Sequence, residues 1–406
     1  MRTAIALSLL LTSAVSAAEL QGVIRNESSA PLAKAHVYVY AAHPKTGVAT
    51  VCANCYRDCG KRRETDAAGK FTLSGLDPTL KFEILAVADG YEPQLVRVTD
   101  TTQRLEFTMH PRTNADADRL IIGVVVDPDG KPVVGALVEP SGYHTPPRKM
   151  PNGREARLTG YGNVPNLDEL SITNDKGEFA LRIPDAGGML DVRAKSLSYA
   201  PKIVREFVPK QSKTIQLGEG ALIQGRVARD GKPLGGISVS FVQRNRASSG
   251  FLGQFEIGTD ENGNFVMPNL GPDEEWVVYV QKSRLDDGVI NPTLVRTGAA
   301  KSKADAGTLT VSKGRCITGK VVADAATQTL PQHVRLVHEL SGEAWVAKLF
   351  DGEFSFNAAP AGELTLRAVD RGVMLSQSPE VRPKTYPTVT IPAQGDIADL
   401  IAYVVK

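Results

Sequence analysis

Several things are missing from this sequence, and each absence narrows what the chain can be. Beyond its first twenty residues no stretch approaches the roughly 20 uninterrupted apolar residues that a membrane-crossing helix needs. The 47 Lys and Arg against 45 Asp and Glu leave a formal charge of +2 over 406 residues. No concentrated basic stripe is present of the kind that meets a phosphate backbone, so nucleic acid is not an expected partner. None of the six histidines has glutamate three residues on, which removes the H-x-x-E pair of a zinc carboxypeptidase. No G-x-S-x-G elbow and no glycine-rich phosphate loop before a helix occur either. The expectation is a chain without catalytic residues and without a cofactor.

What is abundant is turn chemistry: 37 glycines and 25 prolines, against only 6% aromatic residues. Short strands separated by many turns use residues in this way. The opening MRTAIALSLLLTSAVSAAEL has one basic residue, Arg2, an apolar run over 4–11 and small residues over 13–18. That order predicts an export signal over 1–18, cut after Ala17 or Ala18, and an exported chain in the periplasm, on the cell surface or outside.

A two-part phrase then recurs along the chain. Its first half reads LIIGVVVDPDGKPVVGALVEP at 120–140 and ALIQGRVARDGKPLGGISVSFV at 221–242, with weaker copies at 20–40 and 316–337. Its second half is a polar turn closing on Gly-x-Phe: TDAAGKF ending at Phe71, TNDKGEF at Phe179, TDENGNF at Phe265 and the shorter FDGEF at Phe354. The leading glycines Gly22, Gly123, Gly225 and Gly319 are 101, 102 and 94 residues apart. Asp-Gly and Asn-Gly turns between runs that alternate apolar and polar predict antiparallel hairpins, and no window carries a helical stripe. Strands at this spacing over about 100 residues predict a sandwich of about seven strands per copy.

This phrase, followed in the first copy by ILAVADGYEP at 84–93, resembles the carboxypeptidase regulatory-like domain. The resemblance implies an all-β chain, a tandem array of four Ig-like or transthyretin-like antiparallel β-sandwich domains. The expected bounds are 19–112, 119–218, 220–313 and 314–406 after the signal at 1–18. It also implies a module that accompanies an activity instead of performing one, because fold alone licenses no function. The short linkers at 110–118 and 218–221 predict a semi-rigid rod.

Three of the four cysteines fall in VCANCYRDCGKRRETDAAGKF at 51–71. Tyr56 follows Cys55 where a c-type haem would need histidine. Export favours a disulfide among Cys52, Cys55, Cys59 and the distant Cys316. Two further readings stay open: a zinc site of Cys52, Cys55 and Cys59 with His43, and redox use of the Cys52–Cys55 pair as an accessory to a partner.

An insertion at 141–170 lengthens the second copy and gathers Tyr143, His144, Arg148, Arg154, Arg157 and Tyr161. Long loops held by a sandwich are where binding resides, so these six are the candidate ligand residues, for a protein or a glycan partner. The same composition also suits a spacer. Sugar binding would use exposed rings, and Trp345, Tyr143 and Tyr161 are the rings available once Trp276 is assigned to the core. The turn with Asp260, Asn262 and Asn264 offers only fragments of a calcium loop, and hairpin chemistry accounts for it. His333 and His338, five apart on a strand, should face opposite ways.

Overall fold

The computed structural model describes residues 17–50, 59–88, 90–111, 117–162, 164–247, 250–323, 329–370, 372–378, 388–391 and 395–405. Residues 1–16 of the export segment, Cys52, Cys55, part of the 110–118 linker and residues 324–328 of the fourth copy lie outside them. Among the described residues every regular element is a β-strand, apart from single 3-10 turns at Ala117–Arg119 and Lys282–Arg284. The chain forms two compact units, Met1–Thr46 with Ala53–Asn114, and Gly47–Cys52 with Ala115–Lys406.

In the first unit Ala18–Asn26 lies between Lys70–Leu76, antiparallel, and Leu105–Met109, parallel. A second sheet runs Arg62–Glu64, His36–Pro44, Leu80–Val87, Gln94–Val98, all antiparallel. Alternation decides the faces. In Leu105–Met109, Phe107 and Met109 point inward while Glu106 and Thr108 point out. Leu20, Ile24, Phe71 and Phe107 from one sheet meet Val37, Val39, Phe82 and Ile84 from the other in a single core.

The second unit repeats this plan three times. Leu120–Val126, Ala221–Arg229 and Arg315–Val322 each pair antiparallel with the Gly-x-Phe strand, Glu178–Arg182, Asn264–Leu270 or Glu353–Ala359. Each also pairs parallel with the last strand of its copy, Ser212–Gln216, Lys303–Val311 or Ile397–Val405. Facing them are sheets built on Leu137–His144, Ser238–Gln243 and His333–His338, and each copy closes its own core.

The recurring phrase has a mechanical explanation. In each copy the leading glycine is the register partner of the phenylalanine: Gly22 with Phe71, Gly123 with Phe179, Gly225 with Phe265 and Gly319 with Phe354. The threonine before the turn is a buried staple. The Thr173 hydroxyl accepts from the Ala136 amide at 2.8 Å and donates to the Val133 carbonyl at 2.6 Å. Thr65 and Thr259 repeat this with Ala35 and Leu32, and with Ile237 and Leu234.

The next residue caps its own turn. Asp260 Oδ1 accepts from the amides of Asn262 at 2.9 Å and Asn264 at 2.8 Å. The Asn264 amide leads the causes that hold this carboxyl below its usual value. The turn is satisfied by the chain itself, as hairpin chemistry predicts.

The fourth copy departs from the pattern. Its turn is a two-residue Asp351–Gly352 hairpin with φ of 51° and 82°, and Phe350 and Glu353 exchange both backbone bonds. Leu349, whose amide donates to Gln332, stands where the other copies have the staple threonine. Phe350 stands where they have the capping Asp or Asn.

Trp276 is in the third core. Trp345, expected at the surface, packs its ring against the fourth core instead, which removes it as a sugar platform. Of the two histidines on His333–His338, His338 is buried and His333 half-buried. His338 Nδ1 accepts from the Ser341 amide, which leaves Nε2 to donate to the Ala361 carbonyl at 3.2 Å.

Candidate functional site

The insertion folds back on the sheet beneath it. Thr159–Gly160 pairs with Tyr143 and His144 on the edge of Leu137–His144, and Arg148–Lys149 pairs with Glu155–Ala156 as a small outlying hairpin. Asp168 anchors the far end: Oδ2 accepts from the Arg182 amide at 2.8 Å and Oδ1 lies 3.2 Å from the Arg182 guanidinium.

These anchors sort the six candidate residues into two groups. Tyr143 is 3% exposed and belongs to the second core. Its hydroxyl donates to Asp185 at 2.9 Å, and burial with the Asp185 carboxylate pushes its pKa up to about 12. A ring sealed in a core cannot stack on a ligand from solution, so the expectation of Tyr143 as a ligand residue is corrected. Arg157 is likewise committed to the loop, donating to the carbonyls of Thr145 and Gly187, each at 3.0 Å. His144 bridges two elements: Nε2 lies 3.1 Å from Asp191 Oδ2 and Nδ1 lies 3.0 Å from the Thr159 hydroxyl.

Tyr161, Arg148 and Arg154 form the other group. Tyr161 is 75% exposed. Its ring edge lies over Gly142, close enough that a Cβ on the glycine would come within 3.2 Å of Cε1 and 3.6 Å of Asp191 Oδ2. The absence of a side chain at 142 lets the ring lie against the strand. Asp191, the register partner of Gly142, accepts from the Glu206 amide at 2.9 Å and has Arg205 3.8 Å away. The resulting surface is an exposed phenol ring bordered by the His144–Asp191 pair, with half-exposed Arg205 on Asp191; Arg148, Lys149 and Arg154 are exposed on the outlying hairpin.

Asp185, Asp191 and Arg205 were absent from the sequence-level candidates. They come from later strands and turns, and only the register of Met189–Ser196 against Leu137–His144 brings Asp191 under the insertion. No local pattern marks them.

Of the cysteines, Cys316 is a free thiol whose Sγ donates to Asn357 Oδ1 at 3.5 Å. Two of its candidate disulfide partners, Cys52 and Cys55, lie outside the described residues. Cys59 packs against the first core. Among the described residues no three His, Cys, Asp or Glu side chains gather as a metal site, and no helix is long and apolar enough to cross a membrane.

No protein-family model matches the chain, and no curated protein matches it. Solved structures with distant likeness include the Bacillus anthracis TIE protein, at 13% identity and TM-score 0.19 over 92% of this chain and 69% of that one. A streptococcal ancillary pilin matches at 12% identity and TM-score 0.23, over 70% of this chain and 99% of its own. BcpA, the major pilin subunit of Bacillus cereus, matches at 10% and 0.20, over 74% and 100%. At such identities and scores these likenesses decide nothing about what this chain binds or does.

Proposed function

We propose that this is an exported, non-catalytic structural and binding protein made of four β-sandwich modules, with the 141–170 insertion of the second module as its ligand surface. The observation that carries this reading is Tyr161, exposed over Gly142 while Tyr143, His144 and Arg157 of the insertion are tied down. An aromatic face held on a rigid sheet and edged by charged groups suits a ligand with one apolar face and several hydroxyls. A glycan therefore fits better than an extended peptide, and the carbohydrate reading is the one favoured. The four-module organisation draws support from the four separate cores and from one strand plan repeated four times. Kinship with carboxypeptidase regulatory-like modules rests on the repeated phrase alone.

Glycan-array binding by the full chain, compared with Tyr161→Ala and with Arg154→Ala, tests the assignment. Specific glycan binding lost in Tyr161→Ala, with unchanged thermal stability, supports it. Binding that survives both substitutions places the ligand surface elsewhere.

A further inference from the structure

Every open sheet has an outer strand whose backbone groups invite another chain, and soluble proteins guard such edges with charge, brevity or cover. The strand before each Gly-x-Phe turn occupies such an edge in all four copies, so the copies serve as controls for one another. In the first it is Arg62–Glu64, three exposed charged residues. In the second it shrinks to Ser171–Ile172. In the third, Gln254–Gly258 turns Gln254 and Glu256 outward, with Glu256 3.6 Å from Arg284.

The fourth is guarded least, by the single charge of Lys348 at its end. Ala344–Lys348 has Val346 in the place of Glu256, 61% exposed, and two residues past the strand's end Phe350 replaces the capping Asp or Asn, 67% exposed. The strand pairs with His333–His338 on one side, and among the described residues nothing pairs with the other. Its indole and Ala347 already face the core. Phe350 carries the Lys348 ammonium over its ring, 5.3 Å from the centroid, but the fold gives no reason for an outward valine at 346 where the sibling copies place polar groups.

We propose that Ala344–Lys348 is the docking edge for a second copy of this chain, the two strands pairing antiparallel about a two-fold axis through Val346. The choice of occupant rests on the strand's own charge pattern. Lys348 is its only charge and sits at one end. Antiparallel pairing centred on Val346 sets each Val346 against the other and each Lys348 against Ala344, with the two ammonium groups on strand positions roughly 13 Å apart. Parallel pairing would place lysine beside lysine. The adjoining groove, about 690 Å³, is neutral in sum: Lys320 and Lys348 balance Glu353 and Asp399 around Phe350 and Ile401. A neutral, apolar-centred strand matches that surroundings better than a charged ligand does. A closed two-fold contact also uses up the edge, so assembly stops at the dimer. The inference does not depend on the Tyr161 surface.

Analytical ultracentrifugation of the full chain without its export segment, from 1 to 100 µM, is the test, with Val346→Lys and with Val369→Lys as a matched exposed substitution off the strand. The expected result is a concentration-dependent dimer, weakened about tenfold or more by Val346→Lys and unaffected by Val369→Lys, with circular dichroism unchanged in both. Under mild oxidation Val346→Cys should yield a covalent dimer whose cross-linked peptide joins position 346 to position 346, since directly opposed antiparallel Cα atoms lie within disulfide reach. A chain that is monomeric throughout the range, or a dimer indifferent to Val346→Lys, overturns the proposal.

Discussion

Gly123 sits directly opposite Phe179 in the antiparallel ladder, and a Cβ on the glycine would lie 2.6 Å from the phenylalanine ring. The ring folds across the strand and fills the space that any other residue would occupy. The Gly225–Phe265 pair repeats the geometry at 2.5 Å. Gly123→Ala should thus act as an overpacking change and cost about 1–3 kcal/mol, with part of that loss relieved by adding Phe179→Leu and part kept, because the Lys213 carbonyl oxygen also lies 2.7 Å from the added Cβ. Denaturant unfolding of the single and double variants checks both; additive losses would show that glycine and ring do not share one space.

The threonine staple predicts a loss of another kind. Thr173→Val keeps the shape but strands the buried Ala136 amide and Val133 carbonyl that the hydroxyl serves. Leaving buried polar groups unpaired costs about 1–3 kcal/mol each. Thr173→Ser, which keeps the hydroxyl, should retain most of the stability. Thermal melts of the two variants should separate clearly; equal melts would reduce the staple to packing.

Much of the fold was legible in the sequence because the repeat is written in residues whose roles are local. Asn174 caps a turn with its own side chain, and Gly177 supplies its positive φ of 75°. Neither needs a distant partner. The ligand surface was only half legible, because exposure of a ring depends on strand register. Tyr143 and Tyr161 look equivalent in the string, yet pairing of Gly160 with Tyr143 turns one ring into the core and leaves the other outside. The missing guard at Val346 was likewise invisible without knowing which strand lies at the sheet edge.

Acidity should act on the turn that follows His333–His338. Burial holds His338 below its ordinary value of 6.5, so the folded state favours the neutral ring. The stability it contributes is complete above pH 6.5 and is lost as pH falls toward the depressed folded value. Glu343, on the same turn, is raised above 4.5 by burial and acts in the opposite sense, its contribution lost as pH rises through the raised value. His338→Gln, whose amide can accept from Ser341 and donate to Ala361 without titrating, isolates the histidine. Between pH 7 and 5 the wild-type chain should lose stability relative to this variant; parallel stability curves across that window would show that folding leaves the proton affinity of the ring unchanged.

Tyr143 and Tyr161 offer the sharpest separation of stability from binding. Tyr143→Phe removes the bond to Asp185 while keeping the packed ring, and should cost about 0.5–1.5 kcal/mol, because Asp185 is exposed and water takes the place of the lost donor. Its effect on ligand should be confined to what partial unfolding causes. Tyr161→Ala removes an exposed ring and should leave stability within about 0.5 kcal/mol, while abolishing glycan binding. Because the Tyr143 hydroxyl keeps its proton until about pH 12, phenolate absorbance should show it titrating after the exposed tyrosines. Calorimetry and binding on the same preparations place the two rings on separate axes. If Tyr161→Ala unfolds the second module, or Tyr143→Phe abolishes binding at full stability, the division between anchored and exposed residues in the insertion is wrong.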